Sequence, residues 1–521
     1  MPARVPLHPL LFALAVPLSL LVSNLEQVRP AVATRSLLIA ATFALLFWIV
    51  VRAFSGSWRQ AAVFASILII LFSTYGLAYS YFRELGELGW ELSRHRYMLP
   101  VWLALIGVSM LAASRIGGSL GALTIAFNFA GFIMVLLPLT QIARYEVASS
   151  TTSSVVVDPG GSGEALAFSG EDQPPDIYYI IPDAYARDDY LLENYGHDNL
   201  SFLNTLELMG FYVARCSQSN YAQTHLSLAS TLNLSYLERQ GESIFAGDLR
   251  RSDIDKLIKE SFVVQQLQRL EYSIVAFETG FFFTELDDAD YYYELPKEGT
   301  LEAFFDLRGI NAFEALLIQN TGFRLLTDTV SATGALAWAL PDLDSPSNLY
   351  RERTLHVLGQ LEPDHVPALR GPKFVFVHLI APHYPYVFDR DGAFLTFESD
   401  LNEKKPYIDQ LAYLNGRLER VVRNILSTAE TPPIIILQAD HGNLETGGER
   451  TAILNAYYLP ETEGLQLYPQ ISPVNSFRLI FDNYFGGGFG LLPDVSLYST
   501  RELDFDFVEM LDTREGCDVS Q

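Results

Sequence analysis

The apolar residues of this 521-residue chain are crowded into its first 145 positions. Five runs stand out there: Val5–Val22, Ser36–Val51, Ala61–Phe82, Tyr97–Ala113 and Leu120–Ile142. Crossing a bilayer as a helix takes about 20 mostly apolar residues. Residues 1–145 therefore read as a transmembrane anchor of about five helices. The first run is the weakest, because it carries His8, Pro9 and Pro17. A secretory signal is the competing reading, since Ala31-Val32-Ala33 looks like a cleavage site. That triplet lies far from the run, and a second span begins almost at once, which favours a retained anchor. Asn128 is the one clearly polar side chain well inside a span, apart from hydroxyls and His8. Transport sites need more intramembrane polarity than this, so the spans read as an anchor and not as a transporter.

Charge divides the chain at the same place. Residues 1–145 hold ten arginines, no lysine and four acids, whereas the remainder carries a balance of -32, making -26 overall. So acidic a second half repels nucleic acid. Five spans with the N-terminus inside would place that half outside, with Arg4, Arg52, Arg59 and Arg115 in the cytoplasm and the other six arginines outside. The positive-inside tendency mildly opposes this orientation. Only Cys216 and Cys517 are present. They offer no zinc-ligand spacing, and either a disulfide or two free thiols is consistent with their positions.

Residues 146–175 are rich in Ser, Thr, Gly and Pro without apolar period, as a linker is. From 176 to 521 the pattern is that of a folded domain. DIYYII (176–181), SIVAF (273–277), KFVFVHL (373–379) and IIILQ (434–438) read as strands. Asn199–Met209 and Tyr407–Leu426 have apolar residues at helical spacing, with Gly210 as a C-terminal cap for the first. Strands alternating with helices predict an α/β domain with a largely parallel central sheet.

Polar residues punctuate the strand ends. Asp183 follows the first strand, His383 the third, and Asp440 with His441 the fourth. In open α/β sheets the C-terminal strand edge is where ligands sit. One Asp after a strand is a turn residue, but three strands delivering Asp, His and Asp-His to one edge point to a site. Two carboxylates and an imidazole suit zinc or manganese. Such an ion, one or two of them, can activate a hydroxyl and polarise a phosphoryl oxygen. The segment SNYAQTHLSLASTLNLSYL (219–237) supplies a hydroxyl, Thr224, at the start of a predicted helix. Taken alone, Thr224 reads as a helix cap; the same helix end would also steady a bound phosphate.

The order of motifs, D-x-Y near the domain start, T-x-x-S-L, H-x-x-x-P-H-x-P-Y and then D-H-G, resembles the sulfatase-like branch of the alkaline phosphatase superfamily. With the helical anchor, the plan is similar to lipoteichoic acid synthases and phosphoethanolamine transferases. The resemblance implies Asp183, Thr224, Asp440 and His441 as metal ligands and Thr224 as nucleophile. It implies His383 at the substrate phosphate or leaving group, with His378 assisting or holding a second metal. A strand histidine buried by packing is the plainer reading of His378, and His225 reads as a neighbour. The resemblance also implies a domain outside the cytoplasmic membrane, a membrane lipid as donor and an envelope glycan or lipid as acceptor.

The chain departs from the families it resembles in informative ways. Sulfatases have C-x-P-S-R or S-x-P-S-R, whose first residue becomes formylglycine; THLSL has nothing to convert, which disfavours sulfuric-ester hydrolysis. Most cysteines of phosphoethanolamine transferases are missing. The expected activity is phosphoryl-type transfer through threonine. Phosphodiesterase or phosphatase activity and a catalytically silent envelope binding protein are the alternatives.

Overall fold

The computed structural model describes the chain apart from residues 1–4, 26–27, 116–119, 152–158, 162–164, 171–172, 240–241, 244–250, 297–309, 334–344, 396–403, 444–447, 461–464, 499–506 and 511–521. It divides into two compact units, one of residues 1–151 with 297–346, the other of 152–296 with 347–521. The sequence reading drew one uninterrupted domain from 176 onward. The chain instead returns to its first unit between 297 and 346.

The first unit opens with α1 (His8–Val22), α2 (Thr34–Ala53), α3 (Trp58–Glu84), α4 (Gly86–Ser93), α5 (His95–Arg115) and α6 (Leu120–Thr151). Among the described residues four helices are long and apolar enough to cross a membrane: Pro30–Ala53, Trp58–Glu84, His95–Arg115 and Leu120–Val147. The first apolar run forms only the 15-residue α1. At ~1.5 Å per residue that falls short of a ~30 Å hydrocarbon layer. Four full-length spans therefore stand where about five were expected. Asn128 ties α1 into the unit: its Oδ1 accepts from the N–H groups of Leu7 and His8, each at 2.9 Å. Those N–H groups have no partner within their own helix, which gives this amide inside a span a structural task.

The returning segment contributes two helices, Ala312–Gln319 and Phe323–Thr333. Asn311 and Glu314 form a capping box at the start of the first. The turn between them lies directly on α3, where Leu77 N–H donates to Asn320 O (3.1 Å) and Gly322 N–H to Phe72 O (2.7 Å). Such backbone contact requires glycine. A Cβ on Gly76 would stand 2.2 Å from Gln319 O, and one on Gly322 2.6 Å from the Phe72 ring.

The second unit is built on a seven-stranded sheet of β1 (Ile177–Pro182), β2 (Tyr212–Val213), β3 (Ser273–Phe277), β4 (Tyr291–Tyr293), β5 (Lys373–Leu379), β6 (Ile434–Gln438) and β7 (Asn455–Tyr458). The spatial order is β2-β7-β6-β1-β5-β3-β4. β1 pairs in parallel with β5 and β6, and β3 in parallel with β5 and β4. β7 is antiparallel to β6 and β2. This is the largely parallel α/β sheet the sequence predicts. Every residue of β1, β5 and β6 is buried, because helices cover both faces. Tyr178 and Ile180 face a core shared with the Lys404–Thr428 helix through Leu411, Leu414 and Leu418. Ile177, Tyr179 and Ile181 face the opposite core, shared with the Thr224–Leu232 and Pro473–Phe485 helices. Cys216 is disulfide-bonded; Cys517 lies outside the described residues.

Candidate metal centre

Strand register assembles the site. In the parallel pairing of β1 with β5, Ile181 lies opposite His378 and Pro182 opposite Leu379; on the other side of β1, Ile180 lies opposite Leu437. Asp183 and Asp440 thus leave neighbouring strands at the same edge. Asp183 N–H extends the ladder by one bond to Leu379 O (2.8 Å). Ala184 then turns the chain with φ 61, an uncommon conformation for a residue with a Cβ. The turn aims its N–H at Asp440 Oδ1, 3.1 Å away.

That bond occupies one oxygen of Asp440 and leaves the other bare. Asp440 Oδ2 and Asp183 Oδ1 are buried without a hydrogen-bond partner. His441 Nδ1–H donates to Gly442 O at 2.8 Å, which leaves the lone pair of Nε2 directed into the site. Around that Nε2 lie Thr224 Oγ1 at 3.2 Å, Asp440 Oδ2 at 3.4 Å and Asp183 Oδ1 at 3.6 Å. The ligand atoms of Asp183, Asp440 and His441 all lie within 4.8 Å of one another. Unpaired carboxylate oxygens in a buried position are costly unless a cation meets them. Two carboxylates, one imidazole and a hydroxyl therefore fit a divalent ion.

Burial alone would push the Asp183 carboxyl up; His383 and then the His378 hydrogen bond lead the interactions that outweigh it and hold the group well below the usual carboxylate range. Burial pushes the His441 imidazole down against the opposing charge of Asp440. Both shifts favour the metal-binding protonation states, an ionised carboxylate and a neutral imidazole.

Thr224 is the first residue of its helix, and Gln223 occupies the cap position without a side-chain cap bond. The capping reading of Thr224 is thereby corrected: its hydroxyl faces His441. His378 is buried beneath the site, with Nε2 3.3 Å from Asp183 Oδ2 and Nδ1 3.0 Å from Thr284 Oγ1. His383 is half-buried at the opening, its ring centroid 6.2 Å from that of His441. Its main-chain N–H donates to Asp183 O (3.0 Å) and its Nδ1 to Tyr384 O (2.6 Å), so Nε2 faces away from both. His225 is buried edge-on to Phe283.

Two contributors have no sequence signal. Arg450, from a 3-10 turn at Gly448–Thr451, donates from Nε to Ala222 O (2.6 Å) and brings Nη2 within 3.3 Å of His441 Nε2. Gln438, the last residue of β6, is fully buried. It accepts from Tyr179 OH (3.1 Å) and donates to Asn455 Oδ1 (3.0 Å) and Ser476 Oγ (2.7 Å), fixing the strand end that carries Asp440.

No family model matches the chain, and no curated protein matches it. Among solved structures it is similar to the zinc complex of the C-terminal periplasmic domain of EptC from Escherichia coli, at 10% identity over 70% of this chain and 99% of that one, TM-score 0.42. It is similar to the integral membrane lipooligosaccharide phosphoethanolamine transferase EptA from Neisseria meningitidis, at 11% identity over 91% and 93%, TM-score 0.37. It is also similar to the lipoteichoic acid synthase LtaP from Listeria monocytogenes, at 11% identity over 67% and 80%, TM-score 0.35. These are proteins of the kinds that the order of motifs resembles.

Proposed function

We propose that this chain is a membrane-anchored, metal-dependent transferase that moves a phosphoryl-type group from a lipid headgroup to a hydroxyl of an envelope glycan or lipid. The observation that carries the reading is the position of Thr224 Oγ1, 3.2 Å from His441 Nε2 beside the bare oxygens of Asp183 and Asp440. Asp183, Thr224, Asp440 and His441 would hold a zinc or manganese ion. When bound, such an ion lowers the pKa of a hydroxyl and polarises a phosphoryl oxygen.

Thr224 would give its proton to solvent. Its oxygen then bonds to phosphorus while the bond from phosphorus to the lipid glycerol oxygen breaks. His383 would pass a proton from Nε2 to that leaving oxygen and take one back from the acceptor hydroxyl in the second half-reaction. Arg450, whose Nη2 lies at the site beside His441 Nε2, would donate to a non-bridging oxygen. The second half-reaction breaks the threonine–phosphorus bond and regenerates the hydroxyl. The Cys216 disulfide supports a catalytic domain outside the cytoplasm, where disulfides persist.

The test is a mass spectrum of the Thr224 peptide after the full chain is quenched during turnover of phosphatidylethanolamine or phosphatidylglycerol vesicles. A phospho-type adduct on Thr224, absent from Thr224→Ala, is expected. Turnover with no adduct on wild type, or with the adduct on another residue, overturns the mechanism. A C-terminal reporter active only outside the cytoplasm tests the orientation, and a silent reporter on a stable fusion reverses it.

A further inference from the structure

The first unit contains a cavity of about 370 Å³. Its walls come from α1, α2, α3 and the returning helix pair, with Ala13, Ala40, Phe43, Phe72, Leu317 and Phe323 among the lining side chains. We infer that this cavity is a binding site for one acyl chain of a bilayer lipid. The inference rests on the membrane reading of the helices and is independent of the chemistry proposed for Thr224.

Three observations lead to that occupant. The volume lies within the roughly 300–1,000 Å³ of small-molecule sites, well beyond an ordinary packing defect. The charged side chains on the lining, Arg35 and Glu314, are already paired, with Arg35 Nε donating to Glu314 Oε1 at 2.6 Å and Nη2 donating to Oε2. Glu314 Oε2 also accepts from Asn311 N–H at 3.1 Å. An apolar cavity offers water too few partners to hold it and takes apolar ligands instead. Two of the walls, α2 and α3, belong to helices of membrane-spanning length, and inside a bilayer the abundant apolar ligand is a lipid tail.

The fourth wall is built, not incidental. The helix pair is held on α3 by backbone hydrogen bonds at Asn320 and Gly322, an approach that Gly76 and Gly322 alone permit. Further out, His95 Nε2 lies 2.9 Å from Asp328 Oδ2, and the Arg324 guanidinium lies 4.0 Å over the Tyr79 ring. A segment from the middle of the chain thus forms one wall of an open cleft between membrane helices and does not fill it.

The experiment is photolabelling of the full chain, reconstituted in phosphatidylethanolamine and phosphatidylglycerol vesicles, with a phosphatidylethanolamine bearing a diazirine near the end of one tail. Labelled peptides containing Phe43 and Leu317 are expected in excess over those containing Leu103 and Val108, which are exposed on α5. Ala40→Trp fills the cavity and should lower the Phe43 and Leu317 labelling several-fold while leaving α5 labelling unchanged. Leu326→Trp, at the half-exposed rim, gives the same result if Ala40→Trp does not fold. Labelling no denser than on α5, or undiminished in a folded variant, overturns the site. Because the readout is labelling and not turnover, failure here leaves the Thr224 reading standing, and failure of that reading leaves this one.

Discussion

Glu314 in the helical unit and Asp183 in the α/β unit are both buried carboxylates, 6% and 3% exposed. Their surroundings differ in kind. Both oxygens of Glu314 are engaged, by Arg35 and by the Asn311 N–H, so the group closes a structural network. Asp183 Oδ1 has no hydrogen-bond partner, and Asp440 Oδ2 beside it has none either. Folding does not leave carboxylate oxygens bare without a reason, since each loses its hydration for nothing in return. A buried acid with both oxygens answered is architecture; a buried pair with one oxygen each unanswered has the chemistry of a cation site.

The comparison breaks most readily at Thr224. If the site exists for chemistry, Thr224→Ala should lower turnover by about a thousandfold or more, with Thr224→Ser retaining part of it. Because the hydroxyl makes no cap bond, the melting temperature of the alanine variant should stay close to wild type. Activity near wild type in a folded alanine variant would make the hydroxyl a bystander.

Asp440→Asn should weaken metal retention by more than about tenfold, as loss of even outer partners of a metal site does. Without metal the same variant should be no less stable than wild type, because it removes an unanswered charge. Elemental analysis and metal-free melting curves measure the two effects. Equal metal content in both proteins would take Asp440 out of the ligand set.

Glu314→Gln should behave oppositely, destabilising the helical unit by about 2 kcal/mol because it removes the negative partner from the part-buried pair with Arg35. Replacing both partners, Arg35→Met with Glu314→Met, should recover most of that loss. An unaffected single variant would dissolve the distinction between the two acids.

The smallest effect is on pH dependence. Asp183 and His441 both bind protons less readily in the folded chain than in the unfolded one. Where the unfolded state holds more protons, stability rises with pH. The metal-free domain should therefore lose stability as pH falls below the ordinary histidine value of 6.5, and again below the ordinary aspartate value of 3.8. His441→Gln should flatten the upper part of that slope. A slope unchanged in the variant would assign it to another group.

Much of the architecture was legible before any coordinate. DIYYII, SIVAF, KFVFVHL and IIILQ lie within a residue of β1, β3, β5 and β6, and the Ile408–Leu411–Leu414–Leu418 face does enter the core. These features depend on local periodicity, which a short window of sequence contains in full. Asp183, His383, Asp440 and His441 stood out for the same reason, each placed at or near the end of a readable strand.

What only the tertiary structure decided is long-range. Arg450 reaches His441 from a turn with no motif of its own, and Thr224 faces across 217 residues to an imidazole where its position alone said cap. The bare oxygen of Asp440 follows from the left-handed turn at Ala184, which sends its N–H to the other oxygen. The helix pair at 312–333 sits on α3 because Gly76 and Gly322 let two backbones touch. A glycine in an apolar run says only that a side chain is missing; what comes to lie against it depends on contacts between distant segments, which no local period encodes.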